Sequence, residues 1–327
     1  MILLRFDMRA PVLGSPAKSP STQDLYATAL EMAAWGEEHG AIQIVISEHH
    51  GSEDGYLPSP LVFAAAVAGR TKSVPIQIGA LIVPLHDPLR LAEDMAVLDL
   101  TSGGRVSYVT AVGYVEREFA QFDRPFKGRG KRMDECLTAM RSAWTGEPFE
   151  YQGRTVCITP KPVTPGGPAL LMGGNSKAAI KRAARFDMGM LAQGLNPELE
   201  TQYKEECERL GKTPGLCINP PPGMVTSAFV SEDPDRAWAE MGPHMLHDAR
   251  AYAAWMGDST SVSKSVATTI DELREQEGAY RIFTPEQARE YIANNGVLLL
   301  QPLCGGMPPD LAWASLELIA DKVLSKD

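Results

Sequence analysis

The sequence predicts a (β/α)8 barrel, and three observations carry the prediction. Eight short aliphatic runs alternate with helical patterns along 327 residues. Several of these runs are almost wholly apolar, as strands covered on both faces are. No G-x-G-x-x-G follows the first run, which weakens an open dinucleotide-binding sheet as the alternative. The chain reads as one domain over 1–327.

Residues 2–7 form the first expected strand. Ser21 or Thr22 caps a helix running to about His39, and Gly40 stops it. A second strand over 42–47 precedes a helix over 59–71. After a third strand over 76–83, Pro88 opens a helix that extends to Leu100. Ser102-Gly103-Gly104 turns the chain into a fourth strand over 106–111. Helical pattern resumes at Glu116, breaks near Pro125 and Gly128, and continues to Trp144. Two short strands around Gln152-Gly153 predict a hairpin over 149–158, an excursion from the alternation. Strands over 169–172, 188–192 and 224–230 follow, with helices over 176–186, 197–210 and 234–256. Residues 257–295 read as an insertion of loop and short helices. An eighth strand over 297–301 and a helix over 309–323 close the chain.

The formal net charge of −10, with no basic tract, argues against nucleic acid and against an anionic membrane surface as partners. Cys136, Cys157, Cys207, Cys217 and Cys304 are dispersed and form no C-x-x-C pair. They read as reduced thiols buried as small apolar side chains, in a cytoplasmic protein. The apolar run at the N-terminus is too short for a signal peptide, and no stretch approaches the ~20 apolar residues of a membrane span.

The second strand ends in Glu48-His49-His50, at the carboxyl end where barrels do chemistry. Two histidines there bring groups that titrate near neutral pH. Side chains alternate along a strand, so one histidine at most faces the mouth. A metal would need ligands from other strand ends. His86 and Asp87 follow the third strand, and His244 and His247 lie on a late helix, so no metal site is expected. The fifth strand ends in Gly173-Gly174-Asn175-Ser176, directly before a helix. Glycines admit a close ligand, free N–H groups of a first turn attract an anion, and Lys177 adds charge. The same four residues also suit an ordinary turn. Small residues from Thr110 to Gly113 would leave room for a flat ring that Tyr114 could cover, with a tight turn as the plain alternative. At the opposite end of that strand, Asp99 and Arg105 stand close enough in sequence to pair as a stabilising feature.

Ser47-Glu-His-His50, Pro84-Leu-His-Asp-Pro-Leu-Arg-Leu-Ala-Glu93, Leu98-Asp-Leu-Thr-Ser-Gly-Gly-Arg105, Gly173-Gly-Asn-Ser176 and Leu303-Cys-Gly-Gly-Met-Pro-Pro309 occur in this order. Together they resemble the bacterial-luciferase-like family of flavin-dependent oxidoreductases. The resemblance implies a (β/α)8 barrel binding reduced FMN, or the deazaflavin coenzyme F-420, at its C-terminal mouth. It implies a phosphate near Gly173, Gly174, Asn175 and Ser176, and a ring beside Ala80, Leu81, Thr110, Ala111 and Gly113. His49 takes the place of the acid/base, and His50 a structural or supporting one. The implied reaction is monooxygenation of a small organic substrate with O2. Deazaflavin-dependent hydride transfer is the alternative, and flavin binding without turnover a third. A reductase supplying reduced flavin and a homodimer are the implied partners. One departure is Val112, where luciferase has a phosphate-holding arginine; Lys177 and Arg182 are the candidate substitutes. The substrate pocket is expected from the loops 51–60, 114–130 and 257–295. Tyr56, Leu57, Phe119, Trp255 and Met256 serve there as lining or as core.

Overall fold

A computed structural model describes residues 1–11, 20–257, 261 and 263–325. In chain order the elements are β1 (Ile2–Phe6), α1 (Thr22–Glu38), β2 (Ile44–Ile46), α2 (Pro60–Arg70), β3 (Ile76–Ile82), α3 (Pro88–Ser102), β4 (Val106–Ala111), α4 (Glu116–Gln121), α5 (Arg129–Ala143), β5 (Phe149–Tyr151), β6 (Arg154–Val156), β7 (Ala169–Gly173), α6 (Lys177–Arg185), β8 (Gly189–Leu191), α7 (Leu199–Arg209), β9 (Cys217–Ile218), β10 (Ser227–Val230), α8 (Pro234–Met256), α9 (Ile270–Glu275), β11 (Tyr280–Phe283), α10 (Pro285–Asn295), β12 (Leu298–Leu300) and α11 (Pro309–Ile319). They fall into two compact units, 1–58 with 221–327, and 59–220.

In the first unit the strand order is β11-β10-β12-β1-β2, all parallel. Ile2, Leu4, Ile44, Ile46 and Leu298 have no exposed surface, and Phe6 and Leu300 almost none. Burial of such aliphatic side chains stabilises by roughly 1.5–3 kcal/mol each. Helix α1 starts where expected: Ser21 caps it, and Asp24 returns the bond to the Ser21 backbone. A Cβ at Gly36 would stand 3.2 Å from the Leu4 side chain, so the glycine lets α1 lie close against β1.

In the second unit the order is β3-β4-β7-β8-β9, again parallel. The register of β3 against β4 shifts between Gly79 and Leu81, and the Gly79–Ala80 peptide is cis. The expected hairpin is β5 with β6, antiparallel, turning on Gln152 and Gly153 with φ of 50° and 72°. Two positive φ values identify the turn that matches strand twist.

Three expectations are corrected. Strand β9 has two residues, too few for any periodicity to mark it. The stretch 257–295 holds a strand as well as helices: β11 pairs with β10 from Ser227↔Tyr280 to Val230↔Phe283. Residues 258–260 and 262 of that stretch lie outside the described residues. Asp99 and Arg105 serve different partners. Asp99 accepts from Thr164 N at 2.7 Å and Thr164 Oγ1 at 2.8 Å. Arg105 ties the carbonyls of Ala68, Thr71, Val74 and Ser102. A guanidinium fork satisfies several loop carbonyls at once, which one carboxylate would have prevented.

All five cysteines are free thiols; Cys136, Cys207 and Cys304 are buried, but Cys157 is exposed and Cys217 half-buried, against the expectation for these two. Among the described residues no helix is long and apolar enough to cross a membrane.

Candidate active site

Strand β2 delivers Ser47-Glu48-His49-His50, and all four are buried. The loop after them folds back: His49 N donates to Leu57 O at 3.2 Å, and Leu57 N to Asp7 O at 2.8 Å. These bonds bring Asp54 and Tyr56 to the end of β1. His50 Nε2 meets Glu48 Oε1 at 3.0 Å, so one ring nitrogen is occupied by its own neighbour two residues back. The His49 ring instead packs against Trp255 at 4.3 Å, Tyr56 at 5.0 Å and Tyr252 at 6.3 Å between centroids. The two histidines differ in their surroundings: the strand has ended at Ile46, and in the loop that follows His50 meets Glu48 while His49 meets the three rings.

Beside this aromatic group lies Arg9, which sequence reasoning passed over. Its side chain has no exposed surface. Nε donates to Asp248 Oδ1 at 2.6 Å, Nη1 donates to Asp54, and Asp7 stands 3.6 Å away. Gln301 Nε2 donates to Asp7 at 2.6 Å, Tyr280 OH to Asp248 at 2.8 Å, and His247 Nε2 contacts Asp54 at 2.9 Å. Burial pushes the Asp7 carboxyl up, Asp248 pushes it further against the pull of Arg9 and Arg5, and it rises to about 7. Burial opposes ionisation of Asp54 and Asp248 too. There the bond from His247 to Asp54, and the charge of Arg9 on both, win and lower them. Burial raises Tyr56 to about 12, so its hydroxyl stays protonated. The signal that could have found this cluster is Asp7-Met8-Arg9 at the carboxyl end of the first strand, the same position rule that singled out His49.

The other titratable candidates are committed locally. Asp87 caps α3, accepting from Leu89 N at 3.0 Å and Arg90 N at 3.1 Å. His244 Nδ1 lies 3.1 Å from Gly305 O, and burial lowers its pKa. Among the described residues no group of three His, Cys, Asp or Glu side chains could hold a metal ion.

The glycine-rich turn belongs to the second unit. Gly174 has φ of 106°, and among the described residues a Cβ there would meet only Ala179 Cβ, at 3.8 Å. At Gly173 a Cβ would stand 3.1 Å from Val109 Cγ1 and 3.2 Å from Thr110 O, so a side chain there would need β4 to give by a few tenths of an ångström. Ser176 caps α6, its hydroxyl accepting from Ala179 N at 3.2 Å. The N–H groups of Lys177 and Ala178 precede the helix's own ladder and lie at its positive end. Asn175 is held from behind: its carbonyl accepts from Asn196 Nδ2 at 3.2 Å, and Asn196 O from Asn219 Nδ2 at 2.8 Å. An open, capped, positively charged turn of this kind fits a phosphate monoester. Lys177 is exposed beside it. Arg182 is not a free substitute for the missing arginine, because its Nε donates to Asp134 at 2.5 Å and its Nη2 to Gly130 O at 3.0 Å.

The expected ring contacts divide. Ala80 and Ala111 are half-buried, while Leu81 and Thr110 have no exposed surface. The Thr110 hydroxyl donates to Leu171 O at 2.9 Å. A Cβ at Gly113 would stand 2.8 Å from both Ile82 Cγ2 and Phe119 Cε2, so the room this glycine leaves is taken by those two side chains. Phe119 is core, and Tyr114 is exposed.

Residues 6–294 match the model of the luciferase-like monooxygenases. An uncharacterized protein of Sinorhizobium fredii is 26% identical over 187 residues, 55% of this chain and 53% of that protein. An uncharacterized protein of Mycobacterium tuberculosis is 32% identical over 160 residues, 46% of this chain and 55% of that one. The chain thus spans about half the length of these curated relatives. The oxygenase component of a flavin-dependent trigonelline monooxygenase from Acinetobacter baylyi is 22% identical over 288 residues, 82% of this chain and 76% of that protein.

Among solved structures, monooxygenase RslO1 from Streptomyces bottropensis superposes with a TM-score of 0.77 at 23% identity, covering 99% of each chain. The oxygenating constituent of 3,6-diketocamphane monooxygenase from Pseudomonas putida, in complex with FMN, gives 0.68 at 18%, covering 97% of this chain and 98% of that one. An F420-dependent secondary alcohol dehydrogenase gives 0.67 at 16%, covering 99% of each. The shared fold is the (β/α)8 barrel expected from the alternating pattern. With the family model matched across most of its length, the chain belongs to the luciferase-like monooxygenases.

Proposed function

We propose that the protein is a monooxygenase that uses reduced FMN and dioxygen to oxygenate a small organic substrate. The observation that carries the reading is the open turn Gly173–Ser176 on a capped helix, in a chain of this family. The names of the A. baylyi and P. putida proteins, one flavin-dependent and one bound to FMN, support it.

Reduced FMN, when bound, supplies the two electrons that let one oxygen atom enter the substrate while the other leaves as water. This chain's residues do the rest. The turn at Gly174, Asn175 and Ser176, with Lys177 beside it, holds the phosphate. Of the expected ring contacts, the half-buried Ala80 and Ala111 would border the ring. His49, seated among Tyr56, Tyr252 and Trp255, holds or delivers a proton at a ring nitrogen in a site those rings keep dry. The reading carries two partners, a reductase that supplies reduced flavin and a second copy of this chain. The A. baylyi relative, named as an oxygenase component, favours the reductase.

Val112, in place of luciferase's arginine, and the likeness to an F420-dependent dehydrogenase favour a second reading, hydride transfer with coenzyme F-420. An anaerobic titration separates the two. The protein is titrated with reduced FMN, riboflavin and F-420, and then exposed to O2. Tight binding of FMN over riboflavin, with oxygen uptake, is expected. Binding of F-420 alone overturns the first reading in favour of the second.

A further inference from the structure

Arg9 and His49 share the same three rings. The guanidinium carbon of Arg9 lies 4.6 Å from the Trp255 centroid, 4.7 Å from Tyr56 and 5.2 Å from Tyr252. Those are the rings that surround the His49 imidazole. We propose that Arg9 is a positioning residue for His49: it holds the Tyr56–Tyr252–Trp255 wall on which the imidazole is seated. The inference rests on the reading of His49 as the proton-handling group.

The carboxylates set the plane of the guanidinium. Asp248 takes Nε and Asp54 takes Nη1, which leaves one rotational position for the fork. Nη2 is then buried with no hydrogen-bond partner among the described residues. A buried donor left unmade is costly, and more so when charged. A desolvated cation over a ring face offsets that cost. Three ring faces around one guanidinium thus account for a donor that hydrogen bonding does not satisfy.

The wall is tied together. Tyr56 OH and Tyr252 OH are 2.7 Å apart, and Arg5 Nη2 donates to Tyr252 OH at 2.7 Å. On α8, Asp248, Tyr252 and Trp255 stand at i, i+4 and i+7, one face of a helix. Arg9 bonds the first of them and stacks on the other two. It therefore fixes both the height and the rotation of the last two turns of α8. Trp255, in the final turn, is the ring nearest His49 at 4.3 Å. Lysine could keep one ion pair at this position but lacks the rigid fork that reaches Asp248 and Asp54 at once.

The test reads His49 directly and needs no flavin. Carbethoxylation by diethyl pyrocarbonate is followed at His49 and at His244 by peptide mass spectrometry, in wild type, Arg9→Lys and Arg9→Met. His244 is buried on the same helix and reports general loosening. His49 is expected to react about tenfold faster in both variants, with His244 within about twofold of wild type. An unchanged His49 rate, or two histidines accelerating together, overturns the proposal and leaves Arg9 a strut of the unit. The proton-handling reading fails separately: it falls if His49→Gln turns over like wild type, whatever the carbethoxylation rates.

Discussion

Arg9 Nε and Asp248 Oδ1 meet at 2.6 Å with neither side chain exposed to solvent. The pair joins the end of β1 to the middle of α8. Burying two charges is expensive, and attraction offsets the cost only while both are present. Asp248→Ala leaves the guanidinium with one partner fewer in a place water does not reach. A loss of ~3–5 kcal/mol in unfolding free energy is expected, measured by urea denaturation with an unchanged m-value.

Asp7 makes stability fall as pH rises. Its folded pKa of about 7 lies above the ordinary value of 3.8, so the native state holds its proton more tightly than the unfolded chain does. That contribution is complete below the unfolded pKa and is lost as pH climbs through about 7. Asp54 and Asp248 are lowered, so their contribution runs the other way and is already complete above the ordinary carboxylate range. From pH 5 to 8 the difference in stability between wild type and Asp7→Asn should therefore move against wild type, by at most ~1.4 kcal/mol per pH unit. Parallel Tm profiles for the two proteins would refute it.

Ser176→Ala removes one cap and one hydroxyl at the anion turn. About 1 kcal/mol of stability should go with the cap. On the proposed reading, reduced FMN should bind several-fold more weakly while riboflavin binding stays level, since only a phosphate would reach this turn. Equal losses for both ligands, by fluorescence titration, would place the effect elsewhere.

Gly113→Ala tests whether that glycine serves packing. Its φ of 77° disfavours any side chain, and the new Cβ would stand 2.8 Å from Ile82 and Phe119. A destabilisation of ~2–4 kcal/mol is expected from strain and overpacking together. Relief is expected on pairing it with Phe119→Leu, since the two sites share one space. A fully stable Gly113→Ala protein would refute the packing of Ile82 and Phe119 against this glycine.

Much of the fold was legible in the chain. Each long strand carries its own burial signal, and α1 and α3 announce their starts through Ser21 and Pro88. Strand β11 was hidden because four residues beside a helix-capping Thr284-Pro285 read as part of a helical insertion. The candidate site was half legible. His49 and the Gly173–Ser176 turn stand at strand ends inside recognisable motifs. Arg9 stands at a strand end as well, but a lone arginine reads as surface unless its partners are seen, and Asp248 lies 239 residues away.

Local sequence therefore determined most of the strands and helices, β9 and β11 excepted, and which strand ends carry polar groups, because periodicity and capping act over a few residues. Tertiary structure alone decided how those polar groups are used. It paired His50 with Glu48 and left His49 to the aromatic rings. It filled the space beside Gly113 and spent Arg182 on Asp134. It gathered Arg9, Asp54 and Asp248 into one buried cluster. These are contacts between distant residues, and a charge is buried only where its partners arrive with it.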